Sequence, residues 1–186
     1  WGLRIGIGLL LALAVVVVAY PLVSPVDPTF ESVEGLTELG EPLGAGAPDH
    51  PLGTDPRGRD MLARLIYAGR LTMLTALSAV AIATIAGLLV GLVAANTQRV
   101  AGSVLMRFTD LGLAIPGLLL AAAISTILGR GTVSLIVGLA AVFWAPIARV
   151  TYGQAIVLRE RDYVEAARVQ GGGAVTVLVR HVLPHL

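Results

Sequence analysis

The chain has 186 residues, 56% of them hydrophobic and 13% charged, with a formal net charge of +1. Soluble domains run about 45–50% apolar and about 25% charged, so the composition counts against a soluble enzyme and against disorder, and the near-zero charge counts against a nucleic-acid binder. Cysteine is absent and all thirteen basic residues are arginine; disulfides, thiolate metal sites and cysteine nucleophiles are thereby excluded.

A spanning helix needs roughly 17–25 apolar residues, and four stretches of the sequence qualify. Ile5 to Val23 carries no charge. A signal peptide with Arg4 as its basic end is the competing reading, but the apolar run is long for one and no good small-residue cleavage site precedes Pro21. The chain begins at Trp1, so residues N-terminal to it are expected. The second stretch, Leu71 to Ala95, is the most secure; the third, Leu111 to Leu128, is bounded by Asp110 and Arg130, and the fourth, Gly131 to Ala148, is closed by Arg149. Gly129, Arg130 and Gly131 predict a short turn joining the last two into a hairpin.

The connecting segments carry unequal charge. Residues 24–50 hold Asp27, Glu31, Glu34, Glu38, Glu41 and Asp49 and no arginine, whereas Arg99 and Arg107 follow the second stretch and Arg149, Arg159, Arg161, Arg168 and Arg180 follow the fourth. The positive-inside rule predicts the N-terminus and the C-terminal segment in the cytoplasm and the acidic loop outside. Arg57, Arg59, Arg64 and Arg70 then fall on the outer side, in a loop long enough for that rule to weaken.

None of the four apolar stretches contains Asp, Glu, Lys, Arg or His. Proton-coupled transporters keep such groups at membrane depth, so a proton-driven mechanism within this chain is disfavoured. A phosphate-binding P-loop needs lysine, and the chain has none; any ATP-driven step belongs to another subunit. Gly87 and Gly91 form a small-xxx-small pair suited to close helix packing or to a translocation path. Pro116-Gly117 and Pro146 predict kinks.

Before the second span, Thr54 or Asp55 is a candidate cap with Pro56 in the first turn, and Met61, Leu62, Leu65, Ile66 and Gly69 form one apolar stripe. That pattern predicts a short amphipathic helix lying in the outer interface, either anchoring span two or contacting an external partner. His50 reads as an ordinary loop histidine.

The C-terminal segment is the most specific. Arg159 to Gln170 predicts a charged helix, Gly171-Gly172-Gly173 a break, and Val175, Leu178, Val179 and Val182 a second helix ended by Pro184. Glu165-Ala166-Ala167, Gly171 and Leu183-Pro184 keep the spacing of the EAA motif, and the chain is on these residues identified as a member of the ATP-binding-cassette importer permeases. Asp162-Tyr163-Val164-Glu165-Ala166-Ala167-Arg168, Arg180-His181-Val182-Leu183-Pro184, the segment from His50 to Asp55, Gly58-Arg59-Asp60, and Asp110 with Ala114-Ile115-Pro116-Gly117 resemble the dipeptide, oligopeptide and nickel branch, most closely its C-type subunit.

The resemblance implies an all-α polytopic integral membrane protein with the type I importer permease fold. Residues 1–23 would form the first transmembrane helix, 24–70 an extracytoplasmic loop, and 71–186 the permease core with the EAA loop at 149–186. Two further spanning helices are expected after residue 186. Tyr163, Glu165, Ala166, Ala167, Arg168, Gly171, Leu183 and Pro184 would couple the chain to ATPases, with Gly87, Gly91, Pro116 and Gly117 serving helix packing and bending. The triple glycine departs from the family pattern and predicts a looser turn. Implied partners are a homologous permease subunit, two cytoplasmic ATPase subunits that bind ATP and magnesium, an extracytoplasmic substrate-binding protein and membrane lipid. The chain itself would hold no cofactor, no metal and no catalytic residue, and would lie in a bacterial or archaeal plasma membrane. Peptide is the expected solute, with nickel or another small solute as the alternative. An ATP-independent transporter or channel is the remote rival. A membrane enzyme is nearly excluded, because His50 is predicted external while His181 and His185 are cytoplasmic. An amphipathic helix resting on lipid is the competing reading of the EAA segment.

Overall fold

A computed structural model describes residues 1–23, 26–97 and 99–185, apart from the side chains at positions 21, 23, 99, 174, 175 and 181. The start of the acidic segment, the side chains of Arg99, Val175 and His181, and Leu186 therefore lie outside the described residues. The chain is helical, with α1 at Gly2–Val23, α2 at Met61–Asn96, α3 at Arg99–Ala114, α4 at Gly117–Leu128, α5 at Thr132–Arg159, α6 at Asp162–Val169 and α7 at Ala174–Val177. Among the described residues there is no β-strand, only isolated bridges in the loop before α2. Among the described residues three helices are long and apolar enough to cross a membrane, or four if the bent pair α3–α4 is one span. This is an all-α polytopic membrane architecture.

Residues 1–74 form one compact unit. Helix α1 is mostly exposed, and among its described side chains Val17 is the one buried hydrophobic residue. The loop after it is cross-tied by side chains. The buried Thr54 hydroxyl donates to the Gly35 carbonyl at 2.5 Å and accepts from the Leu43 amide at 2.9 Å. Arg57 pairs with Glu31 at 3.1 Å.

The amphipathic helix expected ahead of span two is not separate. Its stripe forms the opening turns of a 36-residue α2 that starts at Met61. Thr54 and Asp55 do not cap it. Asp60 does, its Oδ1 accepting from the Ala63 amide at 2.6 Å as an N-cap carboxylate should. Its Oδ2 lies 2.8 Å from His50 Nδ1, so the histidine read as a bystander ties the loop to the helix start.

Asp55 instead closes the turn before α2, accepting from the Arg57 and Arg59 amides at 2.9 and 3.1 Å. The Arg59 guanidinium hydrogen-bonded to it holds its carboxyl well below the ordinary 3.8, against the opposing effect of burial. A depressed folded-state value contributes stability that is complete above 3.8 and is lost as pH falls through the depressed value. The advantage of wild type over Asp55→Asn in amide-exchange protection of residues 31–60 should thus stay constant from neutrality to about pH 4 and shrink only below it. Shrinkage already at about pH 6 would contradict this account.

Residues 75–186 form the second unit. Here α5 is the central helix, with α3, α4 and α6 packed on it. Its buried face is built from Ser134, Gly138, Ala140, Ala145, Ala148, Thr151 and Ala155. Small residues dominate because apolar tails compete with apolar side chains in a bilayer, leaving close backbone packing to drive helix association.

The third expected span is not one kinked helix. Helices α3 and α4 meet at 89°, and α3 begins at Arg99, ahead of the apolar run. Pro116 lacks an N–H and crowds the preceding turn; it adopts φ −56°, ψ 120° and ends the helical path. Its carbonyl then accepts from the Leu119 and Leu120 amides at 2.9 and 3.1 Å, starting α4 in a new direction. The fourth expected span runs beyond Ala148 to Arg159, with Pro146 inside the helix. Arg149 does not end it. Its Nη2 lies 3.0 Å from Asp110 Oδ1 on α3, and Phe108 of α3 and Trp144 of α5 also meet, with ring centroids 6.0 Å apart.

Candidate functional site

The segment after α5 holds most of the residues singled out in the sequence. Arg159 belongs to the last turn of α5 rather than to the charged helix that follows. Helix α6 spans Asp162–Val169, with Asp162 and Glu165 in its first turn and Arg168 in its last. That order opposes the helix dipole at both ends and stabilises a helix this short.

Val164 anchors α6. It is fully buried in a cluster with Leu92 and Ala95 of α2, Ala155 of α5, and Val177 and Val182. Ala167, one turn on, packs against the same cluster. Glu165 and Ala166 occupy the opposite side and are exposed. Helix α6 therefore presents its acidic-small face outward while its aliphatic face is keyed to two long helices.

The turn after α6 is tight. The Gly171 amide donates to the Arg168 carbonyl and the Gly172 amide to the Ala167 carbonyl, both at 3.0 Å. These two bonds define a Schellman closure with Gly171 at the left-handed position, and its φ is +87°. Gly172 is held by a different demand, since a Cβ there would sit 2.6 Å from the Ala167 carbonyl oxygen. The looser turn expected from three glycines is corrected: two of them serve a closed one.

The second helix expected over Val175–Val182 is mixed. Helix α7 covers Ala174–Val177, a π-helical turn Leu178–Val182, and a 3₁₀ turn Leu183–His185. Leu183 and Pro184 are exposed, and Tyr163 of α6 meets His185 with ring centroids 5.7 Å apart. The α6 residues and the Leu183–Pro184 end thus lie together. Arg168 and Arg159 line a cleft of about 470 Å³ with Thr97, Tyr152 and Glu160.

Gly87, Gly91, Pro116 and Gly117 lie elsewhere. Gly87 and Gly91 form the crossing of α2 on α5: a Cβ would meet Ile147 and the Trp144 carbonyl at 2.7 Å from Gly87, and the Ala148 carbonyl at 2.6 Å from Gly91. Pro116 and Gly117 form the α3–α4 break. Leu92, beside Gly91, belongs to the cluster that holds Val164, so the crossing and α6 share one packed core. The burial of Val164 and Leu92 in one cluster was not anticipated from the sequence. The three-residue spacing of Val164 and Ala167 within a charged helix was the available signal. Among the described residues no cluster of three or more His, Asp or Glu is placed to hold a metal.

A family model described as the binding-protein-dependent transport system inner membrane component matches residues 87–186. The chain is 39% identical over 180 residues to the di/tripeptide transport system permease protein DppC of Pseudomonas aeruginosa, covering 96% of this chain and 59% of that protein. It is 35% identical over 182 residues to a protein of Brucella suis named "Putative peptide transport system permease protein", covering 98% and 59% respectively. A Brucella abortus protein named "Putative peptide permease protein" is 33% identical over 180 residues, covering 97% and 58%. The chain thus spans a little under three-fifths of the length of these relatives.

Proposed function

The chain belongs to the family of inner membrane components of binding-protein-dependent transport systems, and on that premise we propose that it is one permease subunit of an ATP-driven peptide importer. The observation that carries the reading is the posture of α6: Glu165 and Ala166 are exposed while Val164 is locked into the core of α2 and α5. A short exposed helix fixed by its inner face to two spanning helices is suited to sit in a groove of a partner and pass rigid motion to the membrane. Ala166 allows close approach, and Glu165 offers the partner a charge. A helix merely resting on anionic lipid would present a basic face, and Glu165 opposes that.

In this reading a homologous permease completes the translocation path, two cytoplasmic ATPases bind ATP and magnesium, and an extracytoplasmic binding protein delivers the solute. Charge asymmetry between the acidic loop and the arginine-rich end supports placing the N-terminus and α6 in the cytoplasm. Peptide as the solute is supported by the names of the relatives.

In the assembled complex, Glu165→Arg should lower ATPase association, and Gly171→Pro should break the Schellman turn. Both should reduce solute-stimulated ATP hydrolysis by at least about tenfold, given about 1.4 kcal/mol of lost coupling, while membrane insertion persists. Hydrolysis at the wild-type rate in both variants would sink the assignment.

A further inference from the structure

Two arginines, at the ends of α5 and α6, carry charge that the fold does not answer. Arg159 closes α5 and is half-buried, Arg168 lies in the last turn of α6, and neither guanidinium meets an acceptor among the described residues. Partly burying a charge without a partner is costly, and a guanidinium carries five donors in a fixed fork. Arg168 follows Val164 by four residues and so stands on the core side of α6. Both arginines line the cleft of about 470 Å³, and both line a second recess of about 150 Å³ beside Val182. Ala94, Ala95 and Ile156 make part of the cleft wall apolar, and Tyr152 brings a phenolic hydroxyl. Glu160 lines it too, but it is exposed and pairs with neither arginine.

Their level in the membrane decides what can meet them. Tyr152 lies about 30 Å along α5 from Thr132, at about 1.5 Å per residue. That equals the hydrocarbon thickness, and headgroups add about 5–8 Å on each side. Arg159 stands about 10 Å further along, and its long stem lets the charge settle within the headgroup layer. A tyrosine at the hydrocarbon edge with arginine beyond it is the order of a membrane interface. Phosphate is the anion that a bilayer supplies at this level. We infer that the Arg159–Arg168 cleft binds the phosphate of an anionic phospholipid, whose oxygens two guanidiniums can share. A choline headgroup fits less well, since its own cation opposes the arginines. The bound phosphate ties the end of α5 to the end of α6, a second attachment beside Val164. Lipid charge thereby sets how firmly α6 follows the spanning helices.

The test uses the intact transporter complex in phosphatidylcholine vesicles that hold a minor fraction of phosphatidylglycerol with a photoactivatable headgroup. Cross-links should fall on residues 94–102 and 152–168, the walls of the cleft. Arg159→Gln should lower their yield by about tenfold. Arg168→Gln, on a different helix, should do the same, which keeps the test decisive if one variant assembles poorly. Arg180→Gln removes an exposed charge outside the cleft and should leave the yield near wild type. Equal losses in all three would reduce the effect to general attraction for a basic segment and overturn the site. Absence of cross-links at the cleft, as when a neighbouring subunit covers it, would overturn it as well.

Competition separates the sources of phosphate. Unlabelled phosphatidylglycerol should suppress the cross-links, whereas inorganic phosphate should not; suppression by inorganic phosphate would assign the cleft to a free anion and overturn the lipid. A phosphatidylcholine probe that labels the cleft equally well would overturn the preference for negative charge. In the same vesicles, amide exchange over residues 162–169 should slow when phosphatidylglycerol replaces phosphatidylcholine, in wild type and not in Arg159→Gln. Exchange in wild type that ignores the lipid would overturn the tie between α5 and α6. None of these readouts needs ATP or solute, so they stand apart from the importer reading.

Discussion

Val164→Asp is expected to release α6 from its seat and abolish solute-stimulated ATP hydrolysis in the assembled complex. Val164 is fully buried among Leu92, Ala95, Ala155, Val177 and Val182, and none of those side chains can satisfy a carboxylate. An unpaired buried charge belongs to the class of substitution that costs more than about 4 kcal/mol, which exceeds what a helix of eight residues has in reserve. Val164→Ala keeps the environment apolar and leaves a small void, with an expected loss of about 1–3 kcal/mol. Amide exchange over residues 162–169 would separate the two, with protection lost in the aspartate variant and reduced in the alanine variant. Native protection in Val164→Asp would show that α6 is held by something other than this cluster.

Gly91→Leu should destabilise the whole permease unit. Its Cβ would lie 2.6 Å from the Ala148 carbonyl oxygen and 2.7 Å from Thr151 Cβ. Ala148 and Thr151 are themselves buried on α5, so neither can step aside. The helices must separate, and the overpacking cost of about 1–3 kcal/mol is a floor, since the buried face of α5 loses its fit along several turns. Gly8→Leu on α1, where a Cβ meets nothing within 4 Å, supplies the matched control for added bulk. Thermal unfolding of the purified complex in detergent should fall clearly for Gly91→Leu and stay near wild type for Gly8→Leu. Equal behaviour of the two would mean that α2 and α5 do not cross at Gly91.

Long apolar runs were legible in the sequence because bilayer thickness is a length requirement. The first and second stretches each fall within a helix of the structure, and the fourth does so from its second residue, Thr132. Direction was not legible. Pro116 announces a disturbance of α3, but a kink and an 89° break begin with the same missing hydrogen bond, and packing against α5 decides between them. Helix starts were ambiguous for a similar reason: Thr54, Asp55 and Asp60 are all good caps, and only the cross-ties of Thr54 to Gly35 and of Asp55 to Arg59 remove the first two from contention. The EAA spacing drew attention to Glu165 and Gly171, whereas Val164 and Gly172 carry their weight through contacts that spacing does not encode. The Asp110–Arg149 pair lay in plain view as two span boundaries, and only tertiary structure joined them.

Helix α1 carries the least positional information in the chain. Most of its described residues are exposed, and within the first unit Val17 is buried, where a Cβ on Gly69 would come within 3.3 Å of a valine methyl. Such a helix is read by the membrane through its composition and by the protein through the register of its buried valine. Reordering its leucines and valines leaves the first message intact, while shifting Val17 by one position erases the second, since neighbouring residues on a helix point about 100° apart. Substitution tolerance along α1 should therefore be nearly flat, with a narrow dip at the register that meets Gly69.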